Sequence, residues 1–304
     1  MRKYSALIAA FATGGIISIM VVANTNLGAL TSNEVSMSVN QAIGVVLTTV
    51  MLAAGRKSAL ICPPRQKSRW YMYFGGLFGV LIMIANFYSV LNIGAALAMA
   101  AAVFGQSMTG LILDLGGFFH MKKRSFSTRK ALSALVSFSG IFVMTFARGG
   151  SASLLYVLMG IGAGVLTMLQ MCYNSSFAKK KGAIFSARQN ALSGLLGTLA
   201  YAFVLLPDET AKGFMALSGV SLPAACLGGI LAVAVVVSSN LIIPMVPALW
   251  SSLLMSAGQI ITSVVIDAVF YGSFSPWLLC GALLLLAGML LSFFSERSDE
   301  SGEL

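Results

Sequence analysis

Two stretches of this 304-residue chain carry the same polar side chains, in the same order, inside otherwise apolar segments. In "AVFGQSMTGLILDLGG" they are Gln106, Thr109 and Asp114, following Gly105. In "MSAGQIITSVVIDAVF" they are Gln259, Thr262 and Asp267, following Gly258, each 153 positions later. An amide and a hydroxyl can hydrogen-bond a polar solute, and a carboxylate can take a proton or a cation. Each threonine follows its glutamine by three residues, on the same helical face. Each glutamine stands about 8 residues, roughly 12 Å of helix rise, from the aspartate closing its segment. An unpaired amide at that depth in hydrocarbon costs several kcal/mol. The two glutamines therefore either meet substrate in a central cavity or join helices as buried hydrogen-bonding groups. Asp114 and Asp267, at segment ends, oppose the helix dipole and need a partner or water; they read as gate-closing anchors or as proton or cation sites.

A second set repeats at an offset of 150. Ser36, Asn40, Gly44 and Thr48, every fourth residue, recur as Ser186, Asn190, Gly194 and Thr198, and Asn24 recurs as Asn174. Steps of four keep such residues on one slowly rotating stripe. The serines and glycines suit close helix packing; Asn40 and Asn190 are candidates to line a cavity, with Asn24 and Asn174 facing the same space or capping a bend. The copies also differ. Glu34 has Ile184 as its counterpart and Ser38 has Arg188. Glu34 reads as a solvated acid at a helix start, with proton coupling as the alternative. Arg188 reads as a residue snorkelling to the interface, or one meeting an anionic substrate group. Trp250 walls a cavity or simply packs. Pro244 and Pro247 are candidates for a hinge.

Other chemistry finds no purchase. There is one histidine, His120, and no HExxH or P-loop pattern, and no nucleophile and base can be paired. Four cysteines without a CxxC pair suggest neither a disulfide framework nor a metal site. An enzyme is not expected, nor a cofactor.

The elements that must position these groups are membrane spans. With 58% hydrophobic and 9% charged residues, the chain departs far from the roughly 25% charge of soluble domains. Its charges cluster between apolar runs of bilayer-spanning length, which are continuous rather than alternating and so helical. Ten spans are expected, near 4–26, 34–54, 70–91, 93–113, 131–148, 154–177, 184–206, 223–243, 247–268 and 277–294. With both termini cytoplasmic, 16 of the 19 Lys and Arg fall on the cytoplasmic side. The net charge of +10 is thus a topology signal that favours anionic lipid, not nucleic acid. The N-terminal segment looks like a signal peptide, but its recurrence after Leu154 marks it as a retained span.

Further matches (Gly75 and Gly76 with Gly228 and Gly229; Phe126, Ser127 and Gly140 with Phe274, Ser275 and Gly288) shift offset only in loops. The chain reads as a duplication: a first five-helix repeat over 1–148, a second over 149–294, and a cytoplasmic tail over 295–304. An odd number of spans per unit inverts the second copy, the arrangement of many secondary transporters.

Asn24, Leu27 and Gly28; Gly75, Gly76 and Gly79; Gly94, Ala95 and Ala96; and Gly105, Gln106 and Asp114 together resemble the YdcZ-like five-span family of the drug/metabolite transporter superfamily. The resemblance covers most of the first half and persists through Asn174, Gly228, Gly229, Gly258, Gln259 and Asp267. In the second half Gly94 and Ala95 become Pro247 and Ala248. It implies a fused ten-span transporter in place of a pair of five-span chains. The expectation is an all-α inner-membrane secondary transporter that moves a small polar metabolite by alternating access, in the export direction. Membrane lipid is a partner, H+ or Na+ is the coupling ion if there is one, and the state is a monomer or homodimer. A non-transporting scaffold or accessory subunit is the alternative.

Overall fold

Hydrocarbon offers the backbone no hydrogen bonds, so a chain this apolar must pair its N–H and C=O groups within helices. The computed structural model describes residues 2–54, 67–116, 128–147, 153–242, 248–272 and 275–301. They form α1 (Arg2–Leu30), α2 (Asn33–Ala54), a 3-10 turn (Trp70–Tyr73), α3 (Gly76–Gly116), α4 (Thr128–Ala147), α5 (Leu154–Lys181), α6 (Ala183–Leu205), α7 (Pro207–Leu217), α8 (Leu222–Ile242), α9 (Ala248–Phe270) and α10 (Pro276–Ser301). No strand occurs among the described residues.

α3 holds two spans. As one rod its 41 residues would reach about 60 Å, twice the hydrocarbon thickness. At Gly94, φ 74° and ψ 166° interrupt the helix, a conformation essentially reserved for glycine. Contacts with α5 show that the chain reverses there. Before the break, Ser89 bonds the Tyr156 carbonyl, Gly79 lies by Gln170 and Gly75 by Asn174, so this arm runs against α5. After it, Ala98 lies by Gly160, Ala102 by Gly164 and Gly110 by Met168, so this arm runs with α5. Ten spans result.

The inversion is visible where equivalent helices meet. α2 and α6 cross antiparallel, with Gly44 against Ala191 and Gly194 against Gln41, two contacts related by the offset of 150. α4 and α10 also run antiparallel, with Gly140 against Gly281 and Leu285 and Gly288 against Ser137. Gly14 packs on the Met255 backbone as Gly164 packs on that of Ala102; Gly258 meets Phe11 as Gly105 meets Ile161. With lipid outside, nothing hydrophobic pushes helices together, and close backbone approach at small residues supplies the attraction. Leu135, Phe138 and Phe142 on α4 and Ile230 on α8 are exposed, the pattern of a face turned to acyl chains.

α7 is absent from the sequence reading, which placed a loop there. It leaves α6 at a bend of 115°, starts on Pro207 with Asp208 and Glu209 in its first turn, and bonds back through Thr210 Oγ1 to the Ala202 carbonyl at 3.1 Å. A methyl group on Gly213 would stand 2.6 Å from Ser32 Oγ, so α7 lies across the start of α2. Glu34, expected to be solvated there, is instead 2% exposed.

Candidate substrate-binding site

A cavity of about 160 Å³ lies between the two halves, walled by α1, α2, α3, α5, α6, α8 and α9. The six amides singled out by the duplication all reach it: Asn24, Asn40, Gln106, Asn174, Asn190 and Gln259, with Gly44 and Thr48 of the same stripe beside them. The amides arrive as three equivalent pairs because the inverted repeat brings matching positions to a common centre. Thr109, Thr262 and Arg188 do not line it. Trp250 and Asp114 stand on α9 and α3, but their side chains lie outside the described residues. Pro244 and Pro247 lie outside them altogether.

Each asparagine pair is wired together. Asn40 Nδ2 donates to Asn24 Oδ1 at 3.0 Å, and Ser36 Oγ to the Asn24 carbonyl at 2.7 Å. In the other half Asn174 Nδ2 donates to Asn190 Oδ1 at 2.9 Å, and Ser186 Oγ to the Asn174 carbonyl at 3.0 Å. The Asn24 amide presses on Gly228 and the Asn174 amide on Gly75. The asparagines therefore both line the cavity and fasten each half to the first turns of the opposing half's third span.

The two halves of the wall are not identical. Gln170 stands where the first half has Met20, and Gln41 where the second has Ala191. Gln170 Nε2 donates to Asn190 Oδ1 at 3.0 Å and to the Gly75 carbonyl at 3.1 Å. Gln41, Asn86, Gln170 and Asn240 all line the cavity and were missed from sequence, because self-comparison highlights agreement and these are positions of disagreement.

Gln259 is 1% exposed, and neither Nε2 nor Oε1 has a hydrogen-bond partner among the described residues. Only its backbone is engaged, the carbonyl accepting from Ser18 Oγ at 2.7 Å. Gln106, 7% exposed, is its equivalent across the cavity. The threonines beside them serve packing. Thr109 Oγ1 donates to the Gly105 carbonyl one turn back at 2.8 Å, and the Thr262 hydroxyl lies against Gly15.

The charged candidates whose side chains are described, Glu34, Arg188 and Asp267, do not line the cavity. Asp267 is 2% exposed and accepts from the Ala95 N–H at 3.2 Å and the Ala96 N–H at 3.0 Å. These are the first free donors of the α3 arm restarting after Gly94, so the carboxylate meets two orphan N–H groups and the positive end of a helix dipole. The partner that an acid at this position requires comes from the opposite half. The Arg188 guanidinium stands over the Phe185 ring, 5.5 Å from its centroid, and its Nε is buried without a partner among the described residues.

A family model described as "Putative inner membrane exporter, YdcZ" matches residues 5–143 and again 155–291. The chain belongs to that family. It is a multi-pass inner-membrane protein with a transporter's architecture, and the two matched regions show the YdcZ unit present twice in one polypeptide. No curated protein matches the chain. A solved structure titled only "Crystal structure of protein" resembles it with a TM-score of 0.64 at 15% identity, over 98% of this chain and 99% of that one. That likeness is one of fold.

Proposed function

We propose that this YdcZ-family protein is a secondary exporter that moves a small polar metabolite by alternating access through the cavity between its halves. The observation that carries the reading is the placement of three equivalent residue pairs, one member from each inverted half, around one buried space. Equivalent surfaces of opposite orientation give two conformations of nearly equal energy, open to opposite sides. The asparagine pairs against Gly75 and Gly228 are the contacts that would break alternately. A scaffold has no use for a buried amide left unpaired beside a cavity, which costs about 1–3 kcal/mol.

Liposomes loaded with a cell metabolite extract test this. Protein-dependent release of specific small solutes, read by mass spectrometry and lost in Gln106→Leu, is expected. Release no faster than from protein-free liposomes contradicts it.

A further inference from the structure

What the cavity binds can be read from what its wall offers, given the transporter reading above. Ten carboxamide side chains face the space, and among the described residues its wall has no ionisable group and no aromatic ring. A cation entering would find neither a carboxylate nor a ring face. An anion would find no ammonium or guanidinium. Either would give up its hydration without a counter-charge, the costliest form of burial.

Most of the carboxamides are engaged with one another or with backbone. Asn24 pairs with Asn40, Asn190 accepts from Asn174 and Gln170, and Asn240 Nδ2 donates to the Ala183 carbonyl at 3.1 Å. Three cavity-wall amide atoms are fully buried and still without a partner among the described residues: Gln259 Nε2, Gln259 Oε1 and Asn86 Oδ1. The first donates and the other two accept. Turning the Gln259 amide over exchanges its two atoms and still leaves one donor and one acceptor.

We propose that the cavity selects uncharged solutes carrying a carboxamide-like edge, a hydrogen-bond donor beside an acceptor, and that Gln259 is the side chain that pairs with that edge. Asn86 accepts from a further donor on the solute. The remainder of the solute packs on Met20, Met83, Met99 and Met171, whose unbranched, polarizable side chains adapt to varied shapes.

Four pyridines of nearly one size separate the possibilities: nicotinamide (neutral, donor and acceptor), methyl nicotinate (neutral, acceptor only), nicotinate (anion) and 1-methylnicotinamide (cation). Binding to the full chain in detergent is measured by calorimetry, with the melting temperature followed in parallel. Nicotinamide is expected to bind, methyl nicotinate about tenfold more weakly or worse, and neither ion at comparable concentration. Gln259→Leu should lower nicotinamide to the level of methyl nicotinate without lowering the melting temperature, since it removes an amide the fold leaves unpaired. The proposal is overturned if either ion binds as well as nicotinamide, if none of the four binds at millimolar concentration, or if Gln259→Leu preserves the preference. Should that variant not fold, the ranking of the four in the unaltered protein decides. Solute release in the liposome assay together with preferred binding of an ion would leave transport standing and remove the amide selectivity alone.

Discussion

A buried carboxylate and a buried amide, eight positions apart on α9, are used in opposite ways. Asp267 is satisfied by two backbone donors 172 and 171 residues away in sequence, whereas Gln259 is left unpaired. The first arrangement builds the fold; the second, in the function proposed above, serves the cavity. Asp267→Ala should therefore strand the N–H groups of Ala95 and Ala96 and lower stability by about 1–2 kcal/mol, with Asp267→Asn intermediate, as read by thermal unfolding in detergent. A melting temperature unchanged in Asp267→Ala would contradict that assignment. Glu34 shows the limit of reading one residue in its own segment. Its position at the start of α2 suggested solvent, but α7, which no apolar run announces, crosses that end. The signals for α7 were present in Pro207, Asp208 and Glu209, a helix start with acids in its first turn, but with only 11 residues it falls below a span-length search.

The spans were legible because each is a continuous apolar run of bilayer length, and the adjoining estimates 70–91 and 93–113 already left no room for a loop. What the sequence did not announce was that the join is a single residue, Gly94, in a conformation that admits little else. Gly94→Ala should cost about 1–3 kcal/mol through backbone strain alone, visible as a lower melting temperature and a lower yield of folded protein. An unchanged melting temperature would show that the reversal does not depend on that residue. Glycine at Gly164 is needed for a different reason, the approach of α5 to the Ala102 backbone. Gly164→Leu should separate α5 from the second arm of α3 and be more damaging than the same change at Gly162, where a methyl group would meet nothing within 4 Å. Equal loss of folded yield at the two glycines would contradict the packing argument.

At the scale of the whole molecule, duplication made six of the ten cavity amides readable. The six matched amides were found because an inverted repeat sends equivalent residues to one centre. The unmatched ones, Gln41, Asn86, Gln170 and Asn240, were invisible to the same comparison, and they make the cavity asymmetric. The proposed boundary between repeats at 148/149 carries its own prediction. Chains 1–148 and 149–304 expressed together should co-purify on a tag placed on either, because Asp267, Gln170 and Ser18 all hydrogen-bond partners in the other half. Recovery of only the tagged half would contradict it. Alternating access itself is tested most directly by accessibility from the two sides of the membrane. Single cysteines replace Asn86 or Ser239, equivalent positions on the cavity wall, in a cysteine-free background, and membrane-impermeant maleimides are added to right-side-out and inside-out vesicles. The account predicts that each position is modified from both sides, at rates that a bound solute changes in opposite directions. Modification from one side only, at both positions and with or without solute, would contradict it.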